Sequence, residues 1–130
     1  MSFRAPKTLP IISLFHNPRV AQSQQAMRML QERQRRPSGE DAYRLDVIAP
    51  DQLPTKDQLQ QLASSLHGWD ALLADEAKAA TQHDALSVLL KDTDALKRPI
   101  AMDWDKGTAA TNMTDLENLI QSRWNQAKNQ

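Results

Sequence analysis

Residues 11–30 read IISLFHNPRVAQSQQAMRML, and this stretch contains a strand signal followed at once by a helix signal. Residues 11–15 form a short apolar run, which is typical of a strand that is buried on both faces of a sheet. Asn17 and Pro18 are the residue types preferred at a helix N-cap and at the first helical position. The pattern therefore predicts a strand, a short loop and then a helix that continues to about Arg36.

A second strand is predicted where apolar and charged residues alternate. Residues 43–47 read YRLDV, in which Tyr, Leu and Val alternate with Arg and Asp, the period-2 pattern of a strand. The helix between the two predicted strands is long enough to be a crossover connection, so the strands should be parallel and the connection right-handed. The beginning of the chain is therefore predicted to be a β-α-β unit.

Helical signals dominate the middle of the chain. Thr55 and Gln58 form a capping box that predicts a second helix, and Gly68 is expected to end it. Residues 69–80 are rich in alanine and indicate a further short helix. Thr81, with Asp84 three residues later, is predicted to cap a helix that ends before the proline at position 99.

The last third predicts a hairpin followed by a helix. Residues 99–104 and 108–111 are predicted to be paired strands joined by a turn at residues 105–107, and residues 116–124 show helical spacing of apolar side chains. The order β, α, β, α, an irregular helical stretch, β, β, α is that of a thioredoxin-like fold. This α/β architecture has a central four-stranded mixed sheet flanked by helices on both faces.

Composition limits what this chain of 130 residues does. Its length suits one domain over residues 1–130, with residues 1–9 as a short basic N-terminal extension. Sixteen basic residues balance sixteen acidic ones, which argues against a nucleic-acid partner. No apolar run approaches the roughly 18 residues of a membrane span. The absence of cysteine excludes disulfides, cysteine metal sites and thiol catalysis by the chain itself.

The first 31 residues contain four basic residues and no acidic one, a bias shared with mitochondrial presequences. Cleavage far into this segment would remove the predicted strand at residues 11–15, so any such signal would be uncleaved or very short. The bias predicts a mitochondrial location, with the cytoplasm as the alternative.

Three segments resemble the glutaredoxin-coupled arsenate reductases. Residues 12–30 are similar to the first strand, loop and helix of that family, whose loop contains H-N-P, a small residue and the nucleophilic cysteine. Residues 54–63, PTKDQLQQLA, resemble the family's P-T-R-D-E-L segment. Residues 96–100, LKRPI, resemble its R-P-I, in which the proline is cis and faces the active loop. The resemblance implies a thioredoxin-like fold and a cis peptide bond before Pro99.

The chain also resembles a fungal mitochondrial redox protein family of the same fold. Members have a short basic K-T-L segment, then I-T-L-F-H, and later R-P-x-x-V-D-W before a glycine turn. Residues 7–9 (KTL) and residues 12–16 (ISLFH) correspond to the first two patterns, and the third is fitted by Arg98, Pro99, Asp103, Trp104 and Gly107. The resemblance implies a mitochondrial protein of an oxidoreductase family.

The departures from both families concern the nucleophile. Val20 occupies the position of the arsenate reductase cysteine, and Ala26 occupies the position at which some fungal members have one. Of the arginines that bind the oxyanion in arsenate reductases, only one has a clear counterpart in this chain, which is Arg98. The resemblance therefore implies the scaffold of a redox site with no catalytic residue identified in it.

A site of this kind can still bind an anion. N–H groups at the beginning of a helix and the helix dipole stabilise negative charge, and Arg19 and Arg98 would add to this effect. The candidate anion-binding residues are His16, Asn17, Arg19, Val20, Arg98 and Pro99. The alternative is that Asn17 only caps the helix and that Arg19 is a solvated charge. His16, at a strand end, suits either acid–base chemistry or a structural hydrogen bond.

Other polar residues are interpreted as structural. The three histidines have no metal-ligand spacing, so no metal site is predicted. Asp103 and Asp105 flank Trp104 next to a predicted turn, and both carboxylates are expected to be solvated. Trp104, like Trp69 and Trp124, is expected to serve in packing.

These observations leave three functional hypotheses. The first is a thioredoxin-like redox-family protein without its thiol, which acts as a pseudoenzyme or binds a small anion or thiol at the first strand-to-helix loop. The second is a non-catalytic structural or interaction subunit of a mitochondrial assembly. The third is a transferase that binds glutathione and uses the sulfur of that tripeptide. No cofactor is predicted, with glutathione as the alternative.

Overall fold

The computed structural model describes residues 9–74 and 85–128 of the chain. The strands are β1 (Ile11–Phe15), β2 (Arg44–Ile48), β3 (Ile100–Asp103) and β4 (Thr108–Ala110). The α-helices in these residues are α1 (Ala21–Glu32), α2 (Lys56–Ser65), α3 (Ala85–Lys91) and α4 (Met113–Lys128). Two single 3₁₀ turns lie at Asp70–Leu72 and Thr93–Ala95.

The four strands form one mixed sheet in the order β2-β1-β3-β4. β1 pairs in parallel with β2, with Leu14 beside Val47, and antiparallel with β3, with Phe15 beside Ile100. β3 and β4 form an antiparallel hairpin. The predicted thioredoxin-like fold, a four-stranded mixed sheet flanked by helices, is confirmed.

β1 is the centre of the core because its side chains are buried on both faces of the sheet. Ile12 and Leu14 pack with the buried face of α1 and with α4. Phe15 packs on the opposite face with Leu59 of α2 and Leu89 of α3. The unbroken apolar run in this part of the sequence follows from that two-sided burial.

The predicted beginning of the second helix is confirmed, and a glycine follows its end as predicted. Thr55 Oγ1 accepts a hydrogen bond from the N–H of Gln58, and Gln58 Oε1 accepts one from the N–H of Thr55, so the predicted capping box is present. Gly68 follows α2 with a φ of 149°, which L residues rarely adopt. The stretch from residue 69 contains a 3₁₀ turn, and residues 75–80 and the predicted cap at Thr81 and Asp84 lie outside the described residues.

The predicted beginning and end of the first helix are wrong. The side-chain oxygen of Asn17 accepts a hydrogen bond from the N–H of Arg19, and its carbonyl oxygen accepts one from the N–H of Val20, both at 3.0 Å. Asn17 therefore closes a turn instead of capping the helix. The N-cap is Val20, and α1 ends at Glu32, four residues before the predicted end.

The expectation that Asp103 is solvated is also wrong. Its side chain is completely buried, and its two carboxylate oxygens accept hydrogen bonds from Nε and Nη2 of Arg123, both at 2.6 Å. Asp105 is exposed, and its carboxylate lies 3.9 Å from Arg123. Since Arg123 lies on α4, this bidentate ion pair connects the end of β3 to the last helix. Trp104, which lies between the two aspartates in the sequence, donates a hydrogen bond from its Nε1 atom to Ser13 Oγ at 2.7 Å.

Within the described residues, none of the helices combines the length and the hydropathy that crossing a membrane requires.

Candidate functional site

His16 follows β1 and points into the protein. Its Nδ1 atom lies 2.6 Å from the hydroxyl oxygen of Ser23, which also accepts a hydrogen bond from the N–H of Asn17 at 2.9 Å. The His16 side chain is buried, and Ser23 is completely buried. Ser23 therefore connects the first turn of α1 to the preceding loop.

Sequence reasoning missed Ser23, although a signal was present. Ser23, Ala26 and Leu30 are the buried residues of α1, at the spacing of one helix face. A hydroxyl on the apolar face of a helix has to find a polar partner, because an unpaired buried polar group is costly. The nearby loop supplies that partner.

The surroundings of His16 favour its structural interpretation. A Ser–His pair is a familiar arrangement in nucleophilic catalysis, but it requires that substrate reach the hydroxyl. The Ser23 side chain has no exposed surface. The pair therefore holds the loop against the helix and is not a catalytic dyad.

Acidification is expected to destabilise the fold through His16. Burial lowers the pKa of His16, and hydrogen bonding to the backbone of Ser23 opposes this effect in part. The folded state thus binds the proton less tightly than the unfolded chain, in which the histidine pKa is about 6.5. Stability is therefore fully present above about pH 6.5 and is lost as the pH falls from there toward the lower pKa of the folded state.

Urea unfolding at a series of pH values would measure this loss. His16→Gln should show a shallower decline in the free energy of unfolding than the wild type between about pH 7 and about pH 5. His67→Asn, which changes an exposed histidine, is the matched control and should follow the wild type. Parallel curves for His16→Gln and the wild type would contradict the account.

The first turn of α1 contains the backbone donors that an anion would use. The N–H groups of Arg19 and Val20 are already bonded to Asn17. In the described part of the chain, no acceptor is bonded to the N–H groups of residues 21–23. Val20 makes no side-chain cap, and the first turn contains no acidic residue. The positive end of α1 is therefore uncompensated.

A cleft lies beside this turn, between α1, β3 and the beginning of α4. We call it the α1–Pro99 cleft; it encloses ≈ 60 Å³ and is lined by Leu14, Gln22, Ala26, Pro99, Ala101, Ala110, Thr111, Asn112, Met113 and Leu116. Its floor is mainly apolar, and the polar side chains among its lining residues are those of Gln22, Thr111 and Asn112. The peptide bond between Arg98 and Pro99 is cis, as predicted.

The predicted site residues are only partly brought together. Pro99 lines the cleft together with Ala26, and Val20 caps the adjoining helix. Arg19 is exposed at the turn. Arg98 is not among the residues that line the cleft, and its Nη1 atom donates to the carbonyl of Leu96 at 3.4 Å.

The electrostatic surroundings of Arg98 differ from those of a solvated arginine. Its side chain is 8% exposed, and this burial lowers the pKa of the guanidinium, an effect that nearby Asp94 opposes. The predicted role of Arg98 in anion binding stays a prediction.

The described residues contain no cluster of side chains suited to binding a metal ion. Between residues 9 and 74 and between residues 85 and 128, no group of three or more His, Asp or Glu side chains lies close enough to bind a metal ion. The site therefore consists of backbone donors, a small cleft and neutral polar side chains.

Comparisons with solved structures agree on the fold. The chain is similar to an arsenate reductase from Vibrio cholerae, with a TM-score of 0.61 and 16% identity over 88% of this chain and 98% of that one. It is similar to a Bacteroides fragilis protein named for its relation to the ArsC family, with a TM-score of 0.61 and 16% identity over 83% and 97% of the two chains. A Staphylococcus aureus protein gives a TM-score of 0.60 and 15% identity over 82% and 96%.

Sequence comparisons give one family. A family model described as "Protein of unknown function (DUF1687)" matches residues 3–112. Among curated proteins, none matches the chain.

Proposed function

Since the chain belongs to the family of unknown function DUF1687 and has an arsenate reductase-like fold, we propose that it binds a small anionic or thiol-containing ligand at the beginning of α1. On this proposal it is a redox-family protein that performs no thiol chemistry with its own residues, because it contains no cysteine. The main support is the first turn of α1, whose N–H groups at residues 21–23 have no acceptor within the described chain and adjoin the α1–Pro99 cleft.

The chemistry of this end of α1 suits an anion. The N–H groups and the helix dipole attract negative charge, and the first turn holds no carboxylate that would repel it. Phosphate, sulfate, arsenate and a ligand carboxylate share the oxygen acceptors that such donors bind. The small cleft leaves room for a group about the size of a few water molecules, so the rest of a larger ligand would lie outside it.

Glutathione combines the two chemical features that the site accommodates. It has carboxylates for the N–H groups and a short thiol side chain for the apolar floor formed by Leu14, Ala26 and Pro99. With Val20 and Ala26 at the two cysteine positions, any sulfur chemistry would use the thiol of the ligand. The protein would then be a pseudoenzyme or a glutathione-binding module. The acid-free, basic first 31 residues support a mitochondrial location as part of this proposal.

A second candidate is a non-catalytic interaction subunit of a mitochondrial assembly. Its support is the exposure of three large apolar side chains, Ile11 at 44%, Val47 at 37% and Leu53 at 50%. The native mass of the protein in an extract of its host tests this candidate. A mass equal to that of the free chain would contradict it.

Titration of the isotope-labelled protein with glutathione, phosphate or arsenate tests the first proposal. We expect saturable amide shifts at residues 21–23. The beginning of α2 is an internal control, because its capping box bonds the N–H groups of Thr55 and Gln58 and because Asp57 places a negative charge in its first turn. Shifts of equal size at residues 56–58, or unchanged amides at residues 21–23 with all three ligands, would contradict binding at α1.

A further inference from the structure

β2 is an edge strand, and the hydrogen bonds at its two ends fix the direction of its backbone groups. Within the described chain β1 is its only strand neighbour. The N–H of Arg44 donates to the carbonyl of Pro10 at 2.8 Å, and the carbonyl of Ile48 accepts from the N–H of His16 at 3.0 Å. The first and last residues of β2 thus turn backbone groups toward β1.

Leu45 and Val47 therefore turn their N–H and C=O groups away from the sheet, because backbone groups alternate in direction along a strand. Such an outward row is a template for another strand. Toward the beginning of the strand the row continues to Tyr43, whose carbonyl also accepts a hydrogen bond from Gln34 Nε2 at 3.1 Å. The edge offered to a partner is short and covers residues 43–47.

Two exposed charges of opposite sign flank Leu45. Arg44 and Asp46 are two residues apart, so both side chains lie on the same face of the sheet. In an antiparallel pairing of two copies centred on Leu45, each Arg44 would lie opposite an Asp46. These would be non-hydrogen-bonded pairs, in which side chains approach most closely.

The same charges disfavour the strand register that is shifted by one residue. A pairing centred on Asp46 would place two Asp46 carboxylates directly opposite each other, and like charges in that position are destabilising. Charges on edge strands often prevent pairing. One cation and one anion at this spacing are instead complementary to a second copy of the same strand.

We propose that two copies of the chain associate through β2, antiparallel and with Leu45 beside Leu45, to form a continuous eight-stranded sheet. Each copy contributes the outward backbone groups of residues 43–47 and one member of each Arg44–Asp46 pair. Val47, 37% exposed, adds apolar surface on the opposite face of the strand. Because the contact is short, the dimer is weak and depends on protein concentration. The proposal is independent of ligand binding at α1.

Sedimentation equilibrium on the full chain over a range of concentrations tests the dimer. The wild type should dimerise reversibly. Asp46→Arg or Arg44→Asp alone would place like charges opposite each other and should weaken dimerisation by about tenfold or more. The combined variant Arg44→Asp/Asp46→Arg restores opposite charges and should recover the wild-type dissociation constant. Glu117→Arg, an exposed change on α4 with the same change in charge as Asp46→Arg, should have little effect.

Hydrogen exchange gives a second readout at the level of single amides. Exchange at Leu45 and Val47 should slow as the concentration rises, whereas exchange at Ala109, on the opposite edge strand, should not. A wild type that is monomeric at every concentration would overturn the proposal. Single reversals that leave the dissociation constant unchanged, or a combined variant no better than either single reversal, would also overturn it.

Discussion

Replacing Arg123 with alanine is expected to lower the free energy of unfolding by about 3–5 kcal/mol. The change leaves the fully buried carboxylate of Asp103 without its two hydrogen bonds of 2.6 Å. Removing one member of a buried pair is costly because the remaining charge is isolated from water. Since domains of this size are stable by about 5–15 kcal/mol, this single change would remove a large share of the stability. Urea unfolding followed by circular dichroism would measure it.

Two variants separate the loss of the ion pair from a general effect of losing an arginine. Arg28→Ala, an exposed change on α1, should alter stability by no more than about 0.5 kcal/mol. Asp103→Leu combined with Arg123→Met removes both charges and should recover much of the loss, because apolar residues often replace a buried pair without net cost. A loss below about 1 kcal/mol for Arg123→Ala would show that the pair contributes little.

The fold could be predicted because its signals are local. The run at residues 11–15, the alternation at residues 43–47 and the capping box at Thr55 and Gln58 each lie within a few residues. These patterns reflect burial and hydrogen bonding of neighbouring residues, which the sequence displays directly. The arrangement of the sheet then followed from the order of the elements.

Two predictions are wrong for different reasons. In one, two local hydrogen-bonding roles of the same side chain compete, and in the other a residue far along the chain determines the environment of the side chain. Asn17 was expected to cap α1 but closes a turn with Arg19, and both are local uses of the same side chain. The environment of Asp103 depends on Arg123, which lies twenty residues later on another element. No spacing in the sequence indicates that these two side chains meet.

The location of the candidate site stays a prediction, and the structure shows which backbone N–H groups are available in it. Val20 is the N-cap of α1, and Ala26 and Pro99 line the adjoining cleft. The N–H groups of the candidate residues Arg19 and Val20 are bonded within the turn, and the groups without a partner in the described chain are those of residues 21–23. The N-cap of α1 is Val20 instead of the predicted Asn17, so the N–H groups without a partner belong to later residues than predicted.

The thiol pKa of the variant Val20→Cys would measure how strongly the beginning of α1 stabilises a negative charge. Val20 is the N-cap of α1, where a side-chain acceptor can receive hydrogen bonds from the N–H groups of the first turn. A thiolate at this position would also interact with the positive end of the helix dipole, and both effects stabilise the charged form. The chain contains no other cysteine, so the introduced thiol is the only one that titrates in the thiol range.

The thiol pKa of Val20→Cys is therefore the most direct measurement of anion stabilisation at this site, because it requires no knowledge of the natural ligand. We expect a value below about 7.5, compared with about 8.5 for an unperturbed thiol. Gln25→Cys, at an exposed position one turn further along α1, is the matched control and should titrate near the unperturbed value. Equal thiol pKa values in the two variants would contradict the proposal that the beginning of α1 stabilises an anion.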